Sequence, residues 1–255
     1  MEFKLLEVIF TPTEYEALRP ASLTNTICVV FDVLRATSSM VTALSHGAVS
    51  IEPTRSVSDA VRLKHLRVDC LLAGERNGVR IRSDATGGID FDLGNSPREF
   101  TSSVVQGRSI VMTTTNGTRA LQACRGASKT LICSFLNLRA TAEYVANLHM
   151  ESLLLICSGT GERVAYEDVL CAGALIDLMR TGHGHMPLTD SALMAQRLYQ
   201  LEEPDLEGAL ARSVNGQRLI ALPELREDVA FCAQRDRFQV VAGTTGEAPI
   251  ALIPR

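Results

Sequence analysis

The stretch Thr26-Ile-Cys-Val-Val-Phe-Asp-Val-Leu-Arg-Ala-Thr-Ser-Ser-Met-Val-Thr-Ala-Leu-Ser45 decides the fold class. Thr26–Phe31 is a short β-branched apolar run and reads as a strand; Ala36–Ser45 reads as a helix, closed by Gly47. Between them stands Asp32, at the strand's carboxyl end, with Arg35 shortly after. The same unit recurs outward from here. Val49–Pro53, Cys70–Ala73, Ser109–Met112, Thr130–Cys133 and Leu153–Cys157 read as strands. The intervening helices are a segment capped by Ser56 with Asp59 at the capping-box position, one opened by Ser96-Pro97, then Thr118–Cys124, Asn137–His149 and Tyr166–Met179. This rhythm predicts an α/β protein: a three-layer α/β/α arrangement with a largely parallel or mixed sheet and helices on both faces. Beyond residue 182 the pattern turns more helical, at Ser191–Gln200, Leu206–Ala211, Arg218–Ala221 and Leu225–Arg235, with short strand candidates at Phe238–Val241 and Ile250–Ile253. The expected division is residues 1–182 as an α/β portion carrying the site and 183–255 as a mainly helical portion packing on that same site. Gly182-His183-Gly184-His185 reads as the linker or loop between them.

The chain has 255 residues, 46% of them hydrophobic, and carries 25 basic against 29 acidic side chains, a net charge of −4. That length can bury a sizeable core without staples. The acidic balance argues against general nucleic-acid binding, which shows a basic excess or stripe. It leaves room for an anionic small molecule, because a few arginines in one pocket reverse the local field. Apolar runs are strand length, well short of the ~18–20 residues of a spanning helix, and charges interrupt the first twenty residues. A soluble cytoplasmic protein without membrane contact is expected. Seven cysteines without a Cys-x-x-Cys pair suggest buried thiols rather than a disulfide framework or zinc site.

In an open parallel sheet, the carboxyl ends of the strands share one edge, where ligands bind. Polar residues collect at those ends: Asp32 and Arg35; Gly74-Glu75-Arg76; Thr113-Thr-Thr-Asn-Gly-Thr118; Ser134; and Ser158-Gly-Thr-Gly-Glu162. The threonine-rich turn runs straight into a helix, so its hydroxyls and free amides suit an anion; the Ser158–Gly161 turn offers a second cradle. Asp32, Glu75, Asp92, Glu167 and Asp168 are hard oxygen donors of the kind Mg²⁺ takes, and Arg35 and Arg76 suit phosphate, carboxylate or sulfonate. Each feature also has a plain structural reading: the turns as helix caps, Asp168 as a first-turn dipole partner, His183 and His185 as solvent loop residues.

Three phosphatase chemistries compete. Cys157 to Arg163 fits the Cys-x5-Arg cradle of a thiolate nucleophile, but Cys70 to Arg76 fits it equally, so the pattern is weak. An aspartyl-phosphate enzyme of the haloacid dehalogenase type needs an acid two residues after Asp32, where Leu34 stands. Metal-assisted hydrolysis asks only for the carboxylates, hydroxyls and arginines already named.

The segments Asp32-Val-Leu-Arg-Ala-Thr-Ser-Ser39, Gly74-Glu-Arg-Asn-Gly78, Phe91-Asp-Leu-Gly-Asn-Ser-Pro97, Thr113–Thr118, Cys157-Ser-Gly159 and Glu167-Asp168, in that order, resemble the 2-phosphosulfolactate phosphatase family of coenzyme M biosynthesis. Asp228-Val-Ala-Phe-Cys232 with Asp236 is similar to that family's C-terminal segment; Asp90 departs from it, standing where glycine is expected. The resemblance implies an Mg²⁺-dependent phosphatase that converts (2R)-2-phospho-3-sulfolactate, or a closely related 2-phospho-acid, to the hydroxy acid and inorganic phosphate. On its motif positions, Asp32, Glu75 and Asp92 are the expected metal ligands. Asp32, Glu167 and Asp168 are the expected catalytic acids and bases, with Asp168 for the leaving oxygen. Arg35, Arg76, Asn95, Thr115 and Asn116 are the expected substrate contacts. A homodimer is the working expectation for assembly. Two alternatives stay open: a non-catalytic binder of a small phosphorylated or sulfonated acid, and a cysteine phosphatase built on Cys157 and Arg163.

Overall fold

Strand and helix alternate through the first two thirds of the chain, as its hydrophobic runs require. The computed structural model describes residues 5–148, 151–183, 187–244 and 252–254. It opens with β1 (Leu5–Ile9), α1 (Pro12–Glu16), β2 (Thr26–Phe31) and α2 (Ala36–Ser45). β3 (Ser50–Pro53), α3 (Val57–Leu66), β4 (Leu71–Arg76) and β5 (Val79–Arg80) follow. Then come α4 (Ser102–Val105), β6 (Ser109–Thr113), α5 (Gly117–Ala123), β7 (Lys129–Cys133), α6 (Leu138–Ala146), β8 (Ser152–Cys157) and α7 (Tyr166–His183). The last third holds α8 (Asp190–Glu202), α9 (Leu206–Arg212), α10 (Val214–Ile220), α11 (Glu227–Cys232), β9 (Ala242–Thr244) and β10 (Leu252–Pro254).

Among the described residues the strands form one mixed sheet, ordered β1-β8-β2-β7-β9-β10-β3-β6-β4-β5. β1, β8, β2 and β7 are parallel to one another, as are β3, β6 and β4. Three antiparallel steps, β7–β9, β9–β10 and β10–β3, separate the two sets, so the second set runs against the first. The seam is thin: β10 meets β3 through one residue pair, Leu252 with Ile51.

Strand β2 shows why the layers form. Ile27, Val29 and Phe31 join Leu153 and Leu155 of β8 in a core under α6, α7, α8 and α9. Their neighbours Cys28 and Val30 join Leu154, Ile156 and Met112 on the opposite face, under α2 and α5. Period-two side chains that are apolar on both faces demand cover on both faces, which gives three layers. A third, smaller cluster of Ala60, Cys70, Leu72, Ile81, Phe91 and Val111 seats α3 on the outer strands.

Most expected elements appear within a few residues of their expected ends, including the Ser56 cap, whose hydroxyl accepts the Asp59 amide at 3.0 Å. The exceptions have local causes. Ser96-Pro97 opens a 3₁₀ turn, Pro97–Glu99, not a long helix; Glu99 folds back onto the Gly94 and Ser96 amides. Phe238–Val241 forms no strand, because the Phe238 amide is spent on the Leu136 carbonyl, and pairing begins only at Ala242. β1 was not read from the sequence: it is an edge strand paired with β8 and, on its outer side, bridged only at Leu6 to Leu188 among the described residues, and Glu7 interrupts its apolar pattern. The linker expected at Gly182–His185 is partly helix, since α7 runs to His183; residues 184–186 lie outside the described residues.

Candidate active site

The mixed sheet removes the single edge on which the strand ends were expected to meet, yet several of the same residues converge. The carboxyl end of β2 abuts the start of α5. A Cβ on Gly117 would lie 2.8 Å from both Asp32 Oδ2 and the Ala36 Cβ, so only glycine allows this approach. A cavity of about 310 Å³ results, lined from both sets of strands by Asp32, Glu75, Thr114, Thr115, Asn116 and Thr160, among others.

Asp32 is buried, and its Oδ1 accepts the Ala36 amide at 3.0 Å, capping α2. Its carboxyl is pushed up to about 6, first by burial and then by the charges of Glu75 and Glu167, against the pull of the Ala36 and Gly117 amides. Glu75 is next to last in β4, before Asn77 and Gly78, both at positive φ, turn the chain into β5. Glu75 Oε2 accepts the Gly78 amide at 2.7 Å, and Oε1 accepts both the amide and the hydroxyl of Thr115 at 2.9 Å. The threonine-rich turn therefore does not offer all its amides to an anion, as expected: the Thr115 amide and hydroxyl are engaged by a carboxylate. That bond ties β4 to the turn after β6 and fixes Thr115 and Asn116 on the cavity wall.

Arg35 lines the cavity but is not free. Its guanidinium donates to Asp228 Oδ2 at 2.7 Å and to the Gly78 carbonyl at 2.8 Å, with both partners of the ion pair buried. Asp228, on α11, also accepts from Ser96 Oγ at 2.7 Å and Arg98 Nε at 2.8 Å. Asn95, next to Ser96, lines the cavity with its Oδ1 buried and unpartnered. From α10, Asn215 donates to Thr160 Oγ1 at 2.7 Å and to Glu167 Oε1 at 2.6 Å. Asn215, Arg218, Leu219 and Leu222 form the remaining wall. Sequence reasoning missed all four; their i, i+3, i+4, i+7 spacing marks one helix face but does not say what it faces.

Several expected site residues lie elsewhere. Asp168, expected to protonate the leaving oxygen, does not line the cavity. It is buried, and its two oxygens accept the Val33 amide at 2.9 Å and the Gly159 amide at 3.2 Å. Burial, then Glu167 and Asp32, push its carboxyl well above the ordinary range. It clamps the turns after β2 and β8 to each other, so the Ser158–Gly161 turn spends its Gly159 amide on Asp168 while Thr160 and Gly161 reach the cavity. Glu167 stands behind Asn215, also pushed up by burial. Asp92, expected on the metal, is exposed at the far end of β4, where it accepts the Leu72 amide at 2.8 Å. Arg76 turns away to the Glu75 carbonyl and Thr113 Oγ1, at 2.6 and 3.0 Å. Asp90, the residue departing from the family pattern, accepts the Ser83 amide at 2.7 Å in that outer loop, away from the cavity lining.

Cys157 is buried in β8, outside the cavity lining. Its thiol is held well above the ordinary range by burial and by Asp168, Glu167 and Glu14, the reverse of what a thiolate nucleophile needs. Arg163 is exposed, and it too is absent from the lining. The cysteine mechanism loses both its groups.

Among the described residues no three His, Cys, Asp or Glu side chains are placed to hold a metal ion by themselves. Two carboxylates do face the cavity, and Mg²⁺ commonly takes one or two, completing its shell with water and substrate oxygens. Burial raises the Asp32 carboxyl first and the Glu75 charge adds to it; two hard oxygen donors on one cavity wall are a donor set that fits such an ion.

The family model described as 2-phosphosulpholactate phosphatase matches residues 13–246. A protein of Caldicellulosiruptor saccharolyticus named probable 2-phosphosulfolactate phosphatase is 37% identical over 232 residues, 89% of this chain and 93% of the relative. Proteins of the same name from Thermotoga petrophila and Clostridium acetobutylicum are 37% and 34% identical, covering 93% and 90% of this chain and 94% of each relative. With a cavity walled by Asp32, Glu75 and the Thr114–Asn116 turn, and a match that runs nearly end to end, the chain belongs to the 2-phosphosulfolactate phosphatase family of phosphoric monoester hydrolases.

Proposed function

We propose that this protein hydrolyses the phosphate monoester of (2R)-2-phospho-3-sulfolactate, or of a closely related 2-phospho-acid, as an Mg²⁺-dependent enzyme of the coenzyme M type of pathway. The observation that carries the reading is that Asp32 and Glu75 line one cavity together with the Thr114–Asn116 turn, to which Glu75 is directly bonded. Asp32 and Glu75 would hold Mg²⁺, which supplies charge neutralisation at phosphate oxygens and a lowered pKa for water. Asp32, raised to about 6 without metal and lowered when a cation binds, stays ionised at neutral pH and would orient the attacking water by accepting a hydrogen bond from it. Asn116, whose side-chain amide makes no bond to a described residue, would donate to the substrate's anionic oxygens, and the unpartnered Asn95 Oδ1 would accept a hydrogen bond there. The Glu75–Thr115 bonds hold the turn rigid while this happens. Asp168 and Glu167 support this reading as positioning groups, the first fixing the chain beside Asp32 and the second fixing Asn215.

Inorganic phosphate release from phosphosulfolactate tests the reading, measured with Mg²⁺, with EDTA and after thiol alkylation. Release that EDTA abolishes and alkylation spares is the expected result. Release insensitive to EDTA would remove the metal from the mechanism. Loss on alkylation together with loss in Cys157→Ser, with the fold intact, would restore the cysteine.

A further inference from the structure

We infer that Arg218, on α10, recognises a second acidic group of the substrate, a sulfonate or carboxylate that is not itself transferred, and so makes the enzyme selective for phosphate esters of acids. The inference rests on the phosphatase reading of the cavity and adds to it the residue that selects the substrate. Two cations line the cavity, Arg35 and Arg218. Arg35 is buried and neutralised by Asp228 at 2.7 Å, with a second donor spent on the Gly78 carbonyl. Arg218 is exposed to the cavity mouth and makes no ion pair or hydrogen bond with any described residue. Arg76 and Arg98, the other arginines nearby in sequence motifs, point to the Thr113 hydroxyl and to Asp228 and Glu227, outside the lining.

The helix that carries Arg218 is anchored. Asn215, one turn earlier on the same face, is bonded to Glu167 at 2.6 Å and to Thr160 at 2.7 Å, and Leu219 is buried beside it. The face is therefore set toward the cavity, and the guanidinium is its free polar tip. A planar fork of donors matches a sulfonate or carboxylate in two-point contact. The cavity divides accordingly. Asp32, Glu75, Thr115 and Asn116 belong to the strand ends and the turns after them; Arg218 and Leu219 of α10 and Leu222 just after it line the cavity from the C-terminal helices. An ester whose phosphate sits at the first wall presents its second anion to the second wall. A phosphate ester without such an anion meets two leucines and an unsatisfied cation there.

The test compares wild type with Arg218→Gln and Arg218→Lys on four esters. They are 2-phosphosulfolactate, 2-phospholactate (carboxylate only), 1-sulfo-2-propyl phosphate (sulfonate only) and isopropyl phosphate (neither). Arg218→Gln is expected to lose about 10- to 100-fold in kcat/KM on the esters that carry the recognised acid, mostly through KM. The preference over isopropyl phosphate should collapse by the same factor, with partial rescue in Arg218→Lys. Which single-acid ester shares the loss tells sulfonate from carboxylate. An equal loss on isopropyl phosphate, or no loss on any ester, overturns the inference. If wild type hydrolyses none of the four, the phosphatase reading fails, and calorimetric binding of 3-sulfolactate then decides on Arg218. Binding weakened at least tenfold in Arg218→Gln upholds its role; unaltered binding, or none to wild type, ends it.

Discussion

Asp32 carries two roles that pull against each other. As the cap of α2 it is stabilised by the Ala36 amide, whereas its burial among Glu75 and Glu167 penalises the charge. Its folded pKa, about 6, lies above its ordinary value of 3.8. Stability from the bound proton is therefore fully present below pH ~4 and is lost as pH rises through about 6. Asn keeps the Ala36 acceptor without the charge but turns its NH₂ toward the Gly117 amide. In metal-free protein, Asp32→Asn should gain on wild type as pH rises from 4 to 6, by at most ~2–3 kcal/mol relative to its own offset at low pH. Thermal melts across that range check this, and phosphate release should fall at least ~100-fold in the same variant. A carbon-detected titration of Asp32 should give a midpoint of about 6 without metal and a lower one with Mg²⁺. A folded variant with wild-type turnover would take Asp32 out of the chemistry.

At the scale of elements, the site depends on how closely α5 approaches β2 and β4 approaches β6. Both contacts are made by glycines. Gly74, at φ +151°, would put a Cβ 2.1 Å from the Thr113 carbonyl, inside the β4–β6 ladder that presents Glu75. Gly117 would put one against Asp32 itself. Gly117→Ala is expected to cost ~1–3 kcal/mol by forcing α5 away from α2. It should reduce turnover more than its stability loss explains, because the displaced atom is the Asp32 carboxylate. Denaturant melts beside kcat measurements at a temperature where the variant is folded separate the two effects. Unaltered kcat would show that the α5–β2 spacing does not set the site.

For the whole molecule, Asp228 ties the C-terminal helices to the two strand sets. It receives Arg35 from the β2–α2 loop and Ser96 and Arg98 from the segment after β5, all while fully buried. The core beneath α7 runs on without a break into α8, α9 and α11 through Tyr199, Leu210 and Val229. Asp228→Ala leaves the Arg35 guanidinium buried beside a vacated site and is expected to cost ~3–5 kcal/mol. Both the melt and activity should suffer, since Arg35 lines the cavity. A double variant, Arg35→Met with Asp228→Leu, should recover much of the stability and none of the activity. Its melting temperature against that of Asp228→Ala tests whether the penalty comes from the unpaired charge.

The layered α/β architecture is legible in residues 26–45 and their repeats, because period-two apolar runs and helix-capping turns are local properties of the chain. Asp32, Glu75, Thr115 and Asn116 were also legible, since polar residues collect where strands end, and Asn95 through the family motif Phe91–Pro97; all five line the cavity. Asp92, Asp168 and Arg76 share the same chemistry and adjoin the same motifs, but their hydrogen bonds direct them to backbone groups or hydroxyls away from the lining. No one-dimensional pattern encodes that direction. Nor does it encode the reversal of the second strand set, which depends on the short β9–β10 pairing near the far end of the chain. Asn215 and Arg218 are a helix stripe in the sequence, and only packing decides whether such a stripe meets core, solvent or substrate. Local residue order determined the elements and the kinds of polar group at their ends; tertiary structure decided which of those groups still had a free face to offer, because burial and hydrogen-bond saturation are properties of the assembled chain.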